Sequence, residues 1–155
     1  MATVDDVETY RRHSAELIRY ATVLVGPADA ADVVTDAVLA AFAAPTWGDV
    51  ANRRAYLYRA VLHHASSLHR STSRRRRREQ TVAARGPLHH EPPPDSIDAH
   101  RALAALSEQQ RAVTYLTYWE DLAPDRIAEL LGVGEGTVRK QLARARDHLR
   151  RILDV

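Results

Sequence analysis

The sequence predicts an all-helical protein. Apolar residues recur at three- and four-residue spacing through most of the 155 positions, and no stretch sustains the period-two alternation of a half-buried strand. Glycines and prolines punctuate the apolar runs at intervals that a helix would span. A first helix is expected over 4–25, with Val7, Tyr10, Leu17, Ile18, Ala21 and Leu24 on or near one face and Gly26-Pro27 ending it. A second starts near Asp29 and carries a broad stripe of Val33, Val34, Ala37, Val38, Ala41 and Phe42 until Pro45. After a loop over 45–51, Asn52 is a good N-cap for a third helix. Tyr56, Leu57, Ala60, Val61, His64 and Leu68 repeat along it before the polar run STSRRRRREQ.

Gly86-Pro87 and Pro92-Pro93-Pro94, with few apolar neighbours, make the stretch 79–97 a flexible linker between a domain over 1–78 and a second over 98–155. Asp95, Ser96 or Asp98 can cap a short helix through Ala105. Ser107 to Gln110 (SEQQ) is a capping box for another reaching about Trp119, with Tyr115 and Trp119 expected in the core. In DLAPDRIAELLG, Pro124 suits the first helical position, Asp125 complements the helix dipole and Gly132 ends the element.

Composition narrows the function classes. With 45% apolar and 27% charged residues the chain is a soluble globular protein of one domain or two small ones. Absent cysteines remove disulfide scaffolds and Cys-based zinc sites and fit a reducing cytoplasm. The acidic start and short apolar runs predict neither a signal peptide nor a membrane span. Charge is polarised: residues 1–50 hold eight acids and three bases, 51–90 ten bases and one acid. Residues 135–155 form a second basic region with six bases and three acids. Two separated basic surfaces imply a polyanion held at two places. No nucleophile, base and orienting group share an interpretable spacing, so an enzyme, a cofactor, a small-molecule substrate and a metal are not expected. Adjacent histidines such as His63-His64 point about 100° apart on a helix and do not readily share a metal.

Two helices joined by a short glycine-containing turn, over 124–153, have the signature of a helix-turn-helix. Gly132, Gly134 and Gly136 are expected to shape the turn and leave its backbone amides open. Projection of the last helix puts Val138, Leu142, Ala145, Leu149 and Ile152 or Leu153 in the core. Thr137, Arg139, Lys140 and Arg144 then form a polar surface on the half that enters a major groove in this motif. The alternative, that these cations are only the solvated face of an amphipathic helix, is disfavoured because the preceding helix, the turn and the apolar register agree.

These residues resemble a known family, the extracytoplasmic-function group of bacterial sigma factors, over nearly the whole chain. DAADVVTDAVLAAF (29–42) is similar to the family's polymerase-binding helix, and RAYLYRAVLHHASSLHR (54–70) to the helix that reads and melts the minus-10 element. ALSEQQRAVTYLTYWEDLAPDRIAELLGVGEGTVRKQLARAR resembles the minus-35 reader almost position by position. The resemblance implies binding to core RNA polymerase and promoter DNA, usually under an anti-sigma factor, in the cytoplasm. It implies polymerase contact by Asp29, Asp32, Val33, Asp36 and Phe42. It implies minus-10 contact and melting by Trp47, Asn52, Tyr56, Arg59 and His63, and minus-35 reading by the Thr137 to Arg144 surface. Arg74, Arg75, Arg76 and Arg77 would clamp phosphates. His63 stands where the family commonly has an asparagine, and Ala31, Thr35, Asp36 and Val38 replace commoner Glu, Gln, Glu and Phe. Ala123 replaces a usual Ser cap, and Ala143 a larger side chain. A homodimeric helix-turn-helix regulator would explain 98–153 but leave the acidic helix without a use. A sigma-like protein that binds a partner without initiating transcription is the third reading.

Overall fold

The computed structural model describes residues 3–82 and 102–153, without the side chains of residues 73, 76 and 79–82. The proline-rich part of the expected linker and the start of the short helix before Ala105 lie outside the described residues. Helix α1 spans Val4–Val25, α2 Ala30–Ala43, α3 Arg53–Val82, α4 Glu108–Tyr118, α5 Pro124–Leu131 and α6 Glu135–Leu153, with a 3-10 turn at Trp47–Asp49. No strand occurs among the described residues.

Local chemistry explains the boundaries. Thr3 and Asp6 form a reciprocal capping box at the start of α1, as Ser107 and Gln110 do at α4. Pro124 occupies the first turn of α5, and Gly132 ends it in the left-handed conformation at φ 70°. The third helix runs further than its apolar pattern predicts. It continues through the arginine run because no glycine or proline interrupts Arg53–Val82 and arginine is a strong helix former. Arg74, Arg75 and Arg77 are therefore distributed around a helix, exposed. The Arg76 side chain lies outside what is described.

α1, α2 and α3 pack as one bundle and α4, α5 and α6 as another. The bundles meet where α1 lies on α4 and α3 on α4 and α5, and one apolar core runs from Leu17 and Val34 through Leu57 to Leu116, Ile127 and Val138. The sequence suggested two loosely strung bundles; here they close on each other while the Thr137 to Arg144 surface stays outside. At the junction Tyr20, fully buried, packs its ring 4.7 Å from that of Tyr58 and 6.2 Å from that of Tyr115.

Some expected core positions lie at the surface. Val7 and Tyr10 are exposed because α1 turns Asp6 and Thr9 inward over its first turns, and Ile18 is exposed because Leu17, Tyr20, Ala21 and Leu24 make the buried face further along. Trp119 is 67% exposed, since α4 ends at Tyr118 and the chain leaves the bundle there. Leu149 is only half-buried, and Ile152 and Leu153 are exposed.

Candidate nucleic-acid interface

The second bundle presents a helix-turn-helix. α5 stops when the Gly132 and Val133 amides both donate to the Ala128 carbonyl, at 2.9 and 3.1 Å. Of the three glycines around this turn only Gly132 has a positive φ; space around Gly136 is open, and a Cβ on Gly134 would meet only Thr137 Oγ1 at 3.9 Å. The turn therefore requires one glycine, and the other two keep the start of α6 uncovered. Val138, Leu142 and Ala145 anchor α6 from below. Thr137, Arg139, Lys140 and Arg144 lie exposed along its first turns. Arg139 donates from Nη2 to Glu135 Oε1 at 2.7 Å, an i,i+4 pair that fixes its guanidinium along the helix. Arg146, which the sequence reading passed over, donates from Nε to the Tyr118 hydroxyl at 2.7 Å. It lies two turns beyond Arg139 on the same side of the helix, and that spacing is the signal that could have found it.

The first bundle disposes of its expected DNA-contacting side chains differently. Trp47 is buried, 5% exposed, and donates its indole N–H to Asp6 Oδ1 at 2.9 Å. An indole so enclosed has no free face for an unstacked base, and this corrects its expected role. Its ring packs 5.3 Å from Phe42 and edge-on to Tyr56, with the Arg53 guanidinium 5.0 Å from its centroid. Asn52 accepts from the Ala55 amide at 3.0 Å and caps α3. Tyr56 is half-buried. Arg59 and His63 sit one turn apart on the exposed side of α3, and Arg59 donates from Nη2 to the Glu129 carbonyl of α5 at 2.8 Å. Around Asn52, Arg12, Arg53 and Arg54 line an open hollow with Asp5 and His13. The sequence reading missed these cations, although Arg53-Arg54 directly follows Asn52.

Two carboxylates hold this region together. The Thr3 amide and then the Trp47 indole keep the Asp6 carboxyl below its ordinary range. Burial pushes the Glu16 carboxyl up, but hydrogen bonds from Arg54, His13 and Tyr58 outweigh it and leave the group depressed. Arg54 Nη2 and the Tyr58 hydroxyl reach Glu16 Oε2 at 3.0 and 2.9 Å. Burial, helped by Glu16, raises the Tyr58 phenol, so it stays a proton donor.

On α2, Asp29, Asp32 and Asp36 are exposed and make an acidic outer face. Val33 is 5% exposed and faces the core, so it supports the helix instead of forming its surface, which corrects its expected contact with polymerase. Phe42 is half-buried against Trp47. Leu39, 60% exposed one turn beyond Asp36, is the large apolar residue the helix actually presents.

Comparison with known proteins places this geometry. The family described as Sigma-70, region 4 matches residues 96–149, the stretch that holds the helix-turn-helix. The ECF RNA polymerase sigma factor SigL of Mycobacterium tuberculosis is 34% identical over 143 residues, covering 86% of this chain and 80% of its own. The RNA polymerase sigma-E factor of Streptomyces avermitilis is 30% identical over 158 residues, covering 95% and 84%. Among solved structures, the sigma factor RpoE of Bartonella quintana, in complex with the anti-sigma factor NepR, superposes with a TM-score of 0.71 at 23% identity over 99% of both chains. CnrH in complex with the cytosolic domain of CnrY gives 0.65 at 23% identity over 96% and 87%.

Proposed function

The chain belongs to the extracytoplasmic-function group of RNA polymerase sigma factors, and on that premise we propose which of its surfaces do the work. It directs promoter-specific initiation of transcription. In our reading residues 98–155 read the minus-35 element as duplex through Thr137, Arg139, Lys140 and Arg144. The observation that carries this is their exposure on the first turns of α6 above a buried Val138, Leu142 and Ala145. An arginine that pairs bidentately with guanine supplies about 1–3 kcal/mol of discrimination, whereas a phosphate contact adds salt-dependent affinity.

Residues 1–78 carry polymerase binding and the minus-10 element. The acidic face of α2, Asp29, Asp32 and Asp36, takes the polymerase, and Phe42 supports that helix from behind. On the DNA side, Arg59, Arg53 and His63 face the backbone of a melted strand, with Arg54 held on Glu16 beneath them and the Tyr56 ring packed against Trp47 in the same region. Asn52 sets the start of the helix that carries them. Arg74, Arg75 and Arg77 extend the basic surface along α3. No described helix is long and apolar enough to cross a membrane, and we place the protein in the cytoplasm with the polymerase. An anti-sigma factor completes the set of partners, by analogy with the two complexes above.

Reconstituted transcription with core polymerase from a candidate promoter tests the assignment. Asp32→Arg should weaken association with polymerase at least severalfold, and normal association would remove the proposed α2 interface. Arg139→Ala and Arg144→Ala should lower transcription while polymerase binding is kept. Unchanged transcription from both would remove the recognition surface.

A further inference from the structure

Two arginines cross the boundary between the bundles in opposite directions, and each ends on the carbonyl end of a helix. Arg111 of α4, 8% exposed, donates from Nη1 to the Leu24 carbonyl in the last turn of α1 at 2.7 Å. Arg59 of α3 donates from Nη2 to the Glu129 carbonyl in the last turn of α5 at 2.8 Å. The last turn of a helix carries unpaired carbonyls and partial negative charge, which a guanidinium satisfies. Neither α1 nor α5 has a basic residue in its own last turn. Each helix receives its cation from the other bundle.

The fit is close on the α5 side. A Cβ on Gly132 would lie 2.5 Å from Arg59 Nε and 2.7 Å from its Cζ, so the glycine that ends α5 also makes room for the guanidinium. The Tyr20 and Tyr115 rings pack between the two arginines' helices, and His69 of α3 lies 3.5 Å from Glu108 of α4.

We propose that Arg59 and Arg111 form a reciprocal latch that holds the free chain closed and withholds Arg59 from DNA until the bundles separate. The second half of this inference rests on the reading of Arg59 as a DNA contact; the latch itself does not. Closure seats the Arg59 guanidinium against Gly132 and the Glu129 carbonyl, so a strand that engages it in full must pull it off α5, and closure and strand binding compete for its position. A chain that is mostly closed binds through its open fraction, and its apparent affinity falls by that fraction.

The absence of cysteine lets a dye pair be placed on the full chain through Glu8→Cys and Arg150→Cys, both exposed and on different bundles. Energy transfer then reads closure. Arg111→Ala should lower transfer efficiency and move the open-to-closed ratio about tenfold, the effect of losing a hydrogen bond to a charged group. Arg59→Ala should lower it as well, by less, because that residue is exposed. Arg111→Ala should also bind a fluorescein-labelled single strand of randomised sequence severalfold more tightly than the parent. Transfer efficiency equal to the parent's in both variants, with helical circular dichroism retained, overturns the latch. Should Arg111→Ala lose its helical signal, Arg59→Ala alone decides. If transfer falls in both variants while strand binding changes in neither, the latch stands and the assignment of Arg59 to DNA is what fails.

Discussion

The first bundle ties the side chains of its loop and of the start of α3 to neighbours within the bundle, whereas the second leaves those on the first turns of α6 projecting into solvent. Trp47 and Asn52 of the first are committed to Asp6 and to the backbone of α3, and Arg54 is committed to Glu16. Thr137, Lys140 and Arg144 of the second face solvent above an apolar floor. The contrast fits the two tasks proposed for the bundles. A duplex is read by a rigid helix inserted whole, so its side chains must project before contact. A melted strand needs a platform of fixed shape, and a loop attains one only if its side chains bond to the bundle beneath.

Trp47→Ala gives the sharpest break in that contrast. It removes a buried aromatic and its bond to Asp6, and thermal or denaturant unfolding should show a loss of about 3–5 kcal/mol. Arg144→Ala, in the other bundle, should leave unfolding unchanged and instead lower promoter-specific transcription by a factor equivalent to about 1–3 kcal/mol. Loss of stability from Arg144→Ala, or none from Trp47→Ala, would abolish the division between an inward and an outward site.

Acidification should separate the bundles in the same way. Asp6 and Glu16 have folded-state values below their ordinary 3.8 and 4.5. Their contribution is complete above those ordinary values and is lost as the pH falls through the depressed ones, because the unfolded chain takes up the protons first. Unfolding monitored by Trp47 fluorescence, with Trp119→Phe removing the other indole, should therefore show a falling midpoint below about pH 4.5. Glu16→Gln should flatten that dependence. An unaltered acid profile in Glu16→Gln would mean the ion pair with Arg54 does not hold the loop.

At the alkaline end the junction is the weak place. Burial, followed by the hydrogen bond to Glu120 and its charge, pushes the Tyr115 phenol up to about 12, and Tyr20 is raised by burial too. Both must stay protonated for the bundles to pack. That stability is intact below the ordinary value of 10.0 and declines as pH rises toward 12. The Tyr20 hydroxyl has no hydrogen-bond partner among the described residues. Tyr20→Phe should therefore be neutral or raise stability by up to about 1 kcal/mol, the smallest of these effects, and should remove part of the alkaline decline. A marked loss of stability in Tyr20→Phe would show that the hydroxyl is satisfied.

The sequence made the second site legible and the first only in outline. Val138, Leu142 and Ala145 repeat at helical spacing, so locating them as core located Thr137, Lys140 and Arg144 as surface by rotation alone. The same logic placed Val33 in the apolar stripe of α2, where it is buried, and only the family resemblance gave it a contact with polymerase; spacing did fail at Trp119, which lies just past the end of its helix. It could not work for Trp47, because a loop has no period. Whether an indole there meets solvent or Asp6 depends on a residue 41 positions away.

Local chemistry in the chain determined the helices, their caps and the helix-turn-helix, since propensity, capping and apolar spacing act within a few residues. Only the tertiary structure decided that the two bundles share a core, that Arg59 and Arg111 each cap a helix of the other bundle, and that Trp47 faces inward. Those outcomes join residues tens of positions apart, whose meeting is set by the packing of whole helices and leaves no periodic trace along the sequence.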